Sequence, residues 1–221
     1  LSLNSMIKSM QTSNLKNLWN QYKQVLWETF PDLQLDDNWA EWSNKDANLS
    51  ANIYTNQYII KSREVEIWDN KSSIYNNIIY PKTGQNLPCF GMDLMGFFEK
   101  KVILVFDFQH PVENHLFSVP GLPKAEGTFR FFEPGNHFSE NVYVRKCTMS
   151  EVNNYLDDFR AYLQAYKSML ESEKPNGFET STYGDFDKYM KKLDPVSGYL
   201  DSKFGKEKSE SLVNDFLFCY D

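Results

Sequence analysis

The sequence has few of the residues on which many common functional sites depend. Its 221 residues include three histidines and three cysteines, and Cys89, Cys147 and Cys219 form no CxxC pair. This pattern argues against a disulfide framework, a zinc site and an iron–sulfur cluster. The sequence also contains no glycine-rich phosphate loop, no GxSxG and no HExxH. Nucleotide-binding, serine-hydrolase and zinc-protease functions therefore have no support.

Long apolar runs and an excess of positive charge are also missing. No stretch of about 18 apolar residues is present, so we expect no transmembrane helix. The first residues are polar and periodic rather than signal-like, which favours a cytoplasmic protein. The net charge of -7 argues against generic nucleic-acid binding, because domains of that kind are usually basic.

Aromatic residues are abundant and make up 16% of the chain. They can build a large core or line a pocket for a flat conjugated ligand. The length suits one large domain, and the absence of an internal repeat or a low-complexity tract leads us to assign residues 1–221 to a single domain.

The hydrophobic period predicts an α+β fold. Helical spacing covers 4–30 and, after the middle of the chain, 150–172, 185–192 and 206–218. The segment around Trp39 and Trp42 is expected to be irregular or a short helical turn, and 173–185 a mobile loop. The middle of the chain alternates in short segments without intervening helices, which predicts a mainly antiparallel sheet with helices on its faces. The predicted strands are 52–60, 63–68, 74–80, 102–109, 128–132 and 141–146.

The stretch 87–98 places one carboxylate, Asp93, inside an apolar run bracketed by Pro88, Gly91 and Gly96. Burial among such side chains penalises the charged form, so the pKa of Asp93 is expected to rise, as a general acid requires. The alternative is a structural turn carboxylate capped by backbone amides.

Three further polar residues lie in apolar surroundings. Strand alternation puts Asn76 on one face of the predicted strand 74–80 and Asn77 on the other, and at least one should be buried with partners. Asp107 is a second carboxylate in an apolar strand; it either faces a site or bonds to the turn at His110. Asp194 precedes Pro195 where two helical patterns meet, so it either projects into a cleft or starts a turn.

Five blocks of the sequence resemble the signature of the ferredoxin-dependent bilin reductases. The resemblance extends from about residue 58 to the end of the chain, with the N-terminal helix also in register. The blocks are Asn76, Tyr80-Pro81, residues 87–93, residues 105–109, and the C-terminal run Asp194-Pro195, Lys203-Phe204-Gly205 and Phe216-Leu217-Phe218.

The resemblance implies an α/β/α sandwich that holds biliverdin IXα between a central antiparallel sheet and the C-terminal helices. It implies no bound cofactor, electrons from reduced ferredoxin, radical intermediates on the bilin, and a monomer. Asn76 stands where phycocyanobilin-forming members have histidine, and Pro195 where they have a substrate-holding lysine. The chain is most similar to cyanophage-type members that reduce biliverdin by four electrons to phycoerythrobilin through 15,16-dihydrobiliverdin. The host would be a phage-infected or cyanobacterial cell.

The resemblance also implies roles for individual residues. Asp93 and Asp194 would be proton donors, for the A-ring and the methine bridge respectively, in the reverse order or with both roles shared. Asn76 would orient Asp93 or a water. Arg145 would bind a propionate, and Phe90, Met92 and Asp107 would contact the substrate. Glu64 aligns with an acidic family residue in a poorly matching segment.

Two alternatives to four-electron reduction remain open. One is a two-electron reductase that forms or consumes 15,16-dihydrobiliverdin, and the other is a bilin carrier without redox activity. For an acidic enzyme to bind acidic ferredoxin, a local basic patch is needed. The candidates are Lys100, Lys101, Lys124, Arg130, Lys191, Lys192, Lys203, Lys206 and Lys208.

Overall fold

The computed structural model describes residues 2–82, 86–115, 117–124, 129, 132–172, 180–193 and 196–220, without the side chains of 11–13 and 180–182. Its centre is an antiparallel meander in which every strand pairs with its neighbours in sequence. The seven strands of this sheet are β1 (Gln34–Ser43), β2 (Asn48–Thr55), β3 (Ile59–Trp68), β4 (Ser72–Pro81), β5 (Cys89–Phe97), β6 (Val102–Gln109) and β7 (Tyr143–Cys147).

Helices precede and follow the sheet. In the described part of the chain, none is long and apolar enough to cross a membrane. The helices are α1 (Leu3–Lys16), α2 (Asn20–Thr29), a 3-10 helix (Met149–Tyr155), α3 (Leu156–Ser172), α4 (Thr180–Leu193), α5 (Ser197–Phe204), α6 (Lys206–Ser211) and a π-helical segment (Leu212–Leu217).

The two faces of the sheet carry separate cores. On one face, Leu94 and Phe106 pack with residues of α2 and α3 such as Tyr22 and Phe159. On the other, side chains of β2 to β4 pack with α4, α5 and the π-helical segment. The strand period of two explains this division, because neighbouring residues point to opposite faces. The expected α+β sandwich with a central antiparallel sheet is therefore confirmed.

The predicted helix 4–30 is interrupted by a turn at residues 17–19, which separates α1 from α2. At this turn the indole of Trp19 is fully buried, and its Nε1 donates a hydrogen bond to the Ser73 carbonyl at 3.2 Å. Apolar spacing alone did not reveal the break, because Leu15, Leu18 and Trp19 continue the helical pattern across it.

The segment around Trp39 and Trp42 is a strand, and the expectation of an irregular segment or helical turn was wrong. A register shift between Asn38 and Ala40 interrupts the regular alternation of β1. The two indole rings lie 5.6 Å apart and contact Phe216 and Phe204 respectively. The i, i+3 spacing that resembles a helix is thus produced by a bulge.

Two other predicted segments fall largely outside the described residues. In 128–132, only Phe129 and Phe132 are described, and they form an isolated bridge. Of the predicted loop 173–185, residues 173–179 are not described, while α4 already begins at Thr180.

Candidate active site

A cavity lies between the sheet and the C-terminal helices. The lining is predominantly apolar, with polar groups from Asn76, Asp93, Gln109 and Tyr199. Its remaining residues are Val65, Ile67, Ile74, Ile78, Gly91, Met92, Val105, Phe132, Met190, Val196, Leu200, Leu212, Leu217 and Phe218.

Asp93 and Asn76 are directly opposite each other on β5 and β4. Side chains at directly paired positions of an antiparallel sheet have Cβ atoms about 4.5–5.5 Å apart. Both side chains line the cavity. The alternation predicted for the strand around Asn76 is confirmed, since Ile74 and Ile78 line the cavity too, and Asn77 is fully buried on the other face.

Arg63 on β3 fixes the orientation of the Asn76 amide. Its Nη1 donates a hydrogen bond of 2.6 Å to Asn76 Oδ1. A guanidinium has no acceptor, so the amide oxygen must face it. Asn76 is consequently left with its Nδ2 donor for interactions with a carboxylate or a ligand.

Arg63 itself is fully buried beneath the aromatic end of the chain. Its guanidinium carbon lies 5.3 Å from the centre of the Phe218 ring. Sequence analysis missed this residue, although Arg63, Val65 and Ile67 alternate on one face of β3. That alternation was a usable signal, because a charged residue in phase with a buried apolar set should lie against the core.

A second buried carboxylate, Asp187 on α4, lies near the guanidinium. The hydroxyl of Tyr80 donates a hydrogen bond of 2.5 Å to Asp187 Oδ1. Burial raises the pKa of Asp187 to about 6, while the Tyr80 bond and Arg63 partly oppose that rise. The sequence signal was the helical spacing of Tyr183, Phe186, Asp187 and Met190, which places a carboxylate on the apolar face of α4.

Phe90 and Met92, expected to contact the substrate, alternate with Gly91 and Asp93. Met92 borders the cavity while its side chain is buried in the core that α3 covers. Phe90 packs in that same core against Phe108 and Tyr166, with ring centres 5.5 and 5.4 Å apart. Because strand neighbours face opposite ways, the position of Phe90 does not support contact with a ligand in the cavity.

Asp107 is on the same face of the sheet as Asp93, but other groups hold its carboxylate. Its Oδ2 accepts the Ser139 N–H at 2.8 Å, and its Oδ1 accepts the Ser139 hydroxyl. Burial raises its pKa well above the usual range. Ser139, rather than the turn at His110, is thus the structural partner, and Asp107 is not among the described residues that line the cavity.

Arg145 lies on the face of the sheet opposite the cavity. Its neighbour Val144 pairs with the cavity residue Val105, so alternation turns Arg145 the other way. The guanidinium carbon lies 4.9 Å from the Tyr155 ring centre and 5.7 Å from that of Tyr143. A propionate site at Arg145 would therefore lie outside this cavity, and the role of Arg145 stays a prediction.

Strand alternation in β3 also turns Glu64 away from the cavity, because its neighbour Val65 lines the cavity. Its Oε2 accepts a hydrogen bond of 2.8 Å from Tyr75, which belongs to the core on the opposite face. Asp194 lies outside the described residues. Val196, two residues further along the chain, lines the cavity.

The match to a family model defines the class of protein to which this fold and cavity belong. The model named ferredoxin-dependent bilin reductase matches residues 29–219, and the chain belongs to this family. The protein is therefore an oxidoreductase of the type that reduces bilins with electrons from ferredoxin.

Particular relatives carry two different names. The chain is 32% identical over 201 residues to the phycoerythrobilin:ferredoxin oxidoreductase of Prochlorococcus marinus subsp. pastoris, covering 80% of this chain and 78% of the relative. It is 26% identical over 192 residues to the 15,16-dihydrobiliverdin:ferredoxin oxidoreductase of Nostoc punctiforme, covering 78% of this chain and 79% of the relative.

The fold is also similar to a solved structure. Phytochromobilin synthase from tomato, crystallised in complex with biliverdin, superposes with a TM-score of 0.71 at 15% identity, covering 90% of this chain and 82% of the other. At that identity the likeness supports the shared fold alone.

Proposed function

We propose that this protein reduces biliverdin IXα by four electrons to phycoerythrobilin through 15,16-dihydrobiliverdin. The observation that carries the proposal is the pairing of Asp93 with Asn76 at the wall of an otherwise apolar cavity. A conjugated tetrapyrrole suits such a lining, because apolar side chains bury its rings while a few polar groups fix its orientation.

Asp93 acts in this mechanism as a proton donor. Each two-electron stage takes two electrons from two reduced ferredoxins and two protons, so a one-electron donor leads to radical intermediates on the bilin. A carboxylic acid within an apolar lining delivers its proton to a reduced carbon without competition from bulk water. The Asn76 Nδ2 group, fixed by Arg63, orients that carboxyl group.

The two stages need protons at two ends of the substrate. Asp93 serves the A-ring reduction and Asp194 the reduction at the C15–C16 methine bridge. The roles of both residues come from the resemblance. The names of the two relatives, one for 15,16-dihydrobiliverdin and one for phycoerythrobilin, support a chain that handles both compounds.

The test is product chromatography after incubation with biliverdin IXα, ferredoxin and an electron source. The wild-type protein should give phycoerythrobilin with transient 15,16-dihydrobiliverdin. Asp93→Asn should accumulate 15,16-dihydrobiliverdin, with the second stage slowed by roughly 100-fold or more, as expected for loss of a general acid. Asp194→Asn should leave biliverdin unreduced.

Glu64→Gln is the matched control, because it removes a carboxylate from β3, two strands away from Asp93 and on the opposite face of the sheet. It should form phycoerythrobilin at the wild-type rate. Normal phycoerythrobilin yields from Asp93→Asn would refute the role of Asp93.

A two-electron reductase is the second candidate function. It is favoured by the similar coverage of the relative named for 15,16-dihydrobiliverdin. The same chromatography separates the two candidates, because a two-electron enzyme supplied with biliverdin stops at 15,16-dihydrobiliverdin or does not react.

A further inference from the structure

The buried guanidinium of Arg63 connects the Asp93–Asn76 pair to a second polar cluster. Nη1 bonds Asn76, while Nε and Nη2 have no hydrogen-bond partner of good geometry among the described residues. Burial lowers the pKa of Arg63, yet a guanidinium remains charged at neutral pH. This charge therefore needs a nearby negative group to offset the loss of hydration.

Two carboxylates lie within electrostatic reach of Arg63, and Asp187 interacts with it more strongly than Asp93 does. Asp187 is 3% exposed and held by the Tyr80 hydroxyl. Its other oxygen, Oδ2, has no hydrogen-bond partner among the described residues. Since its pKa is about 6, Asp187 is mainly ionised at neutral pH and carries the charge that Arg63 requires.

Other charged groups around this cluster are few among the described residues. Lys61 and Lys191 act on Asp187 from the strand and helix beside it, and both favour its ionised form. Burial keeps the nearby Tyr80 hydroxyl and Cys89 thiol neutral, because each pKa is raised well above its usual value. The local balance is thus set by one guanidinium and two carboxylates, with the two lysines at the edge.

We propose that Asp187 is the counter-ion of Arg63, which lets Arg63 hold Asn76 in place while it stabilises the charged form of Asp93 less than an uncompensated guanidinium would. Arg63 and Asp187 are then positioning residues that keep Asp93 a proton carrier. This inference rests on the proposed function, in which Asp93 donates a proton.

The signs of two substitutions follow from this arrangement. Asp187→Asn keeps an acceptor for Tyr80 but removes the negative charge that compensates Arg63. The positive charge of Arg63 then stabilises ionised Asp93 more strongly, so the pKa of Asp93 falls. Arg63→Met removes the positive charge, so the pKa of Asp93 rises. An opposite unit charge within about 4–6 Å shifts a carboxyl pKa by roughly one to three units.

The measurement is infrared spectroscopy of the protein without bilin. The carboxylic-acid C=O band of Asp93 is isolated by subtracting the spectrum of the corresponding Asp93→Asn protein, and it is followed from pH 4 to 9. In Asp187→Asn the Asp93 band should disappear at least one pH unit lower than in the wild type, and in Arg63→Met at a higher pH.

Asp158→Asn is the matched control. Asp158 also accepts a tyrosine hydroxyl at 2.5 Å, from Tyr143, but on the opposite face of the sheet. Its substitution should leave the Asp93 titration unchanged. Arg63→Lys, which keeps the charge, should retain a midpoint closer to wild type than Arg63→Met does.

Equal Asp93 midpoints in the wild type and in folded Asp187→Asn would overturn the proposal, as would shifts of the same sign in Asp187→Asn and Arg63→Met. Far-ultraviolet circular dichroism of each variant identifies those that fold. A failure of the proposed function would be seen in a different measurement, the product analysis of Asp93→Asn. In that case Asp93→Asn makes phycoerythrobilin normally, whatever the infrared titrations give.

Discussion

Asp187 ties the stability of the protein to pH in a direction opposite to that of most carboxylates. Its pKa is about 6 in the folded protein, against about 3.9 for an unperturbed aspartate. Between these values the folded state binds more protons than the unfolded state. Stability from this group is therefore present below about pH 4 and is lost as the pH rises through about 6.

Asp187→Asn should remove this component. The free energy of unfolding of the wild type, relative to the variant, should fall by roughly 2 kcal/mol between pH 4 and 7, because most of the pKa difference is expressed in that range. Urea unfolding at several pH values checks this. An identical pH dependence in the two proteins would show that Asp187 ionises normally.

Tyr80 controls the same titration through its hydrogen bond. Tyr80→Phe removes the donor that favours ionised Asp187, so the pKa of Asp187 should rise above about 6. Infrared spectra referenced to Asp187→Asn would detect the change. Tyr143→Phe, which removes the equivalent donor to Asp158 on the opposite face, should not move this midpoint.

The part of the site that depends on the residue pattern within one strand could be predicted from the sequence. Alternation placed Asn76 on the same face as Ile74 and Ile78, and the apolar run around Asp93 indicated a carboxylate in an apolar site. Arg145 could not be placed, because its position depends on how β7 pairs with β6. The cluster of Arg63, Tyr80 and Asp187 was missed because it forms only when α4 packs on the sheet.

At the scale of elements, β5 depends on close contact with the start of α2. A Cβ added at Gly96 would lie 2.3 Å from Leu18 Cδ2 and 3.5 Å from the ring of Trp19. A side chain at this position therefore fits only if the end of the Leu18 side chain moves away from the strand.

Gly96→Ala should lower the free energy of unfolding by roughly 1–3 kcal/mol through overpacking. In urea unfolding, the double variant Gly96→Ala/Leu18→Ala should lose less stability than the sum of the two single changes, because shortening Leu18 removes the clash. If the stability losses of the two single variants simply add in the double variant, the destabilisation by Gly96→Ala does not come from a clash with Leu18.

Gly184→Ala makes the same chemical change inside α4, where an added Cβ has no neighbour within 4 Å. There alanine should stabilise by roughly 0.5–1 kcal/mol, because glycine is entropically unfavourable in a helix. Opposite changes in the free energy of unfolding at positions 96 and 184 would distinguish the effect of side-chain packing from that of backbone entropy.

The elements themselves differ in how far sequence could define them. Strand β6 was predicted at its observed bounds and β4 to within two residues at each end, because alternating residues and flanking turn residues define both strands. Strand β1 was not, since its bulge between Asn38 and Ala40 breaks the period and its tryptophans pack on distant residues such as Phe216. Contacts with distant residues, rather than its local sequence pattern, therefore determine the conformation of β1.

For the molecule as a whole, the net charge of -7 must be reconciled with an acidic electron donor. Several of the lysines proposed for docking lie on the C-terminal helices that cover the cavity. Lys203 is engaged with Asp69, and Lys206 with Glu210 at 3.6 Å, whereas Lys192 is exposed on α4. Arg130 lies outside the described residues.

Turnover should therefore depend on ionic strength, with the KM for ferredoxin rising as salt is added. The Debye length shortens from roughly 10 Å at 0.1 M to roughly 3 Å at 1 M. Lys192→Glu should raise this KM and weaken its salt dependence, while Lys167→Glu on α3, at the other face, should not. A KM that is insensitive to salt would contradict electrostatic docking.

The meander gives the molecule a particular order of assembly. Among the described residues, each strand pairs with its neighbours in sequence, so the sheet can grow by local hairpins, which favours rapid folding. Helices α4 to α6 follow all seven strands in the chain, and they supply the other wall of the cavity. During synthesis on a ribosome, the surface bearing Asp93 would thus form first and stay open until these helices emerge. We therefore expect the protein to become able to bind a bilin only after these helices have formed.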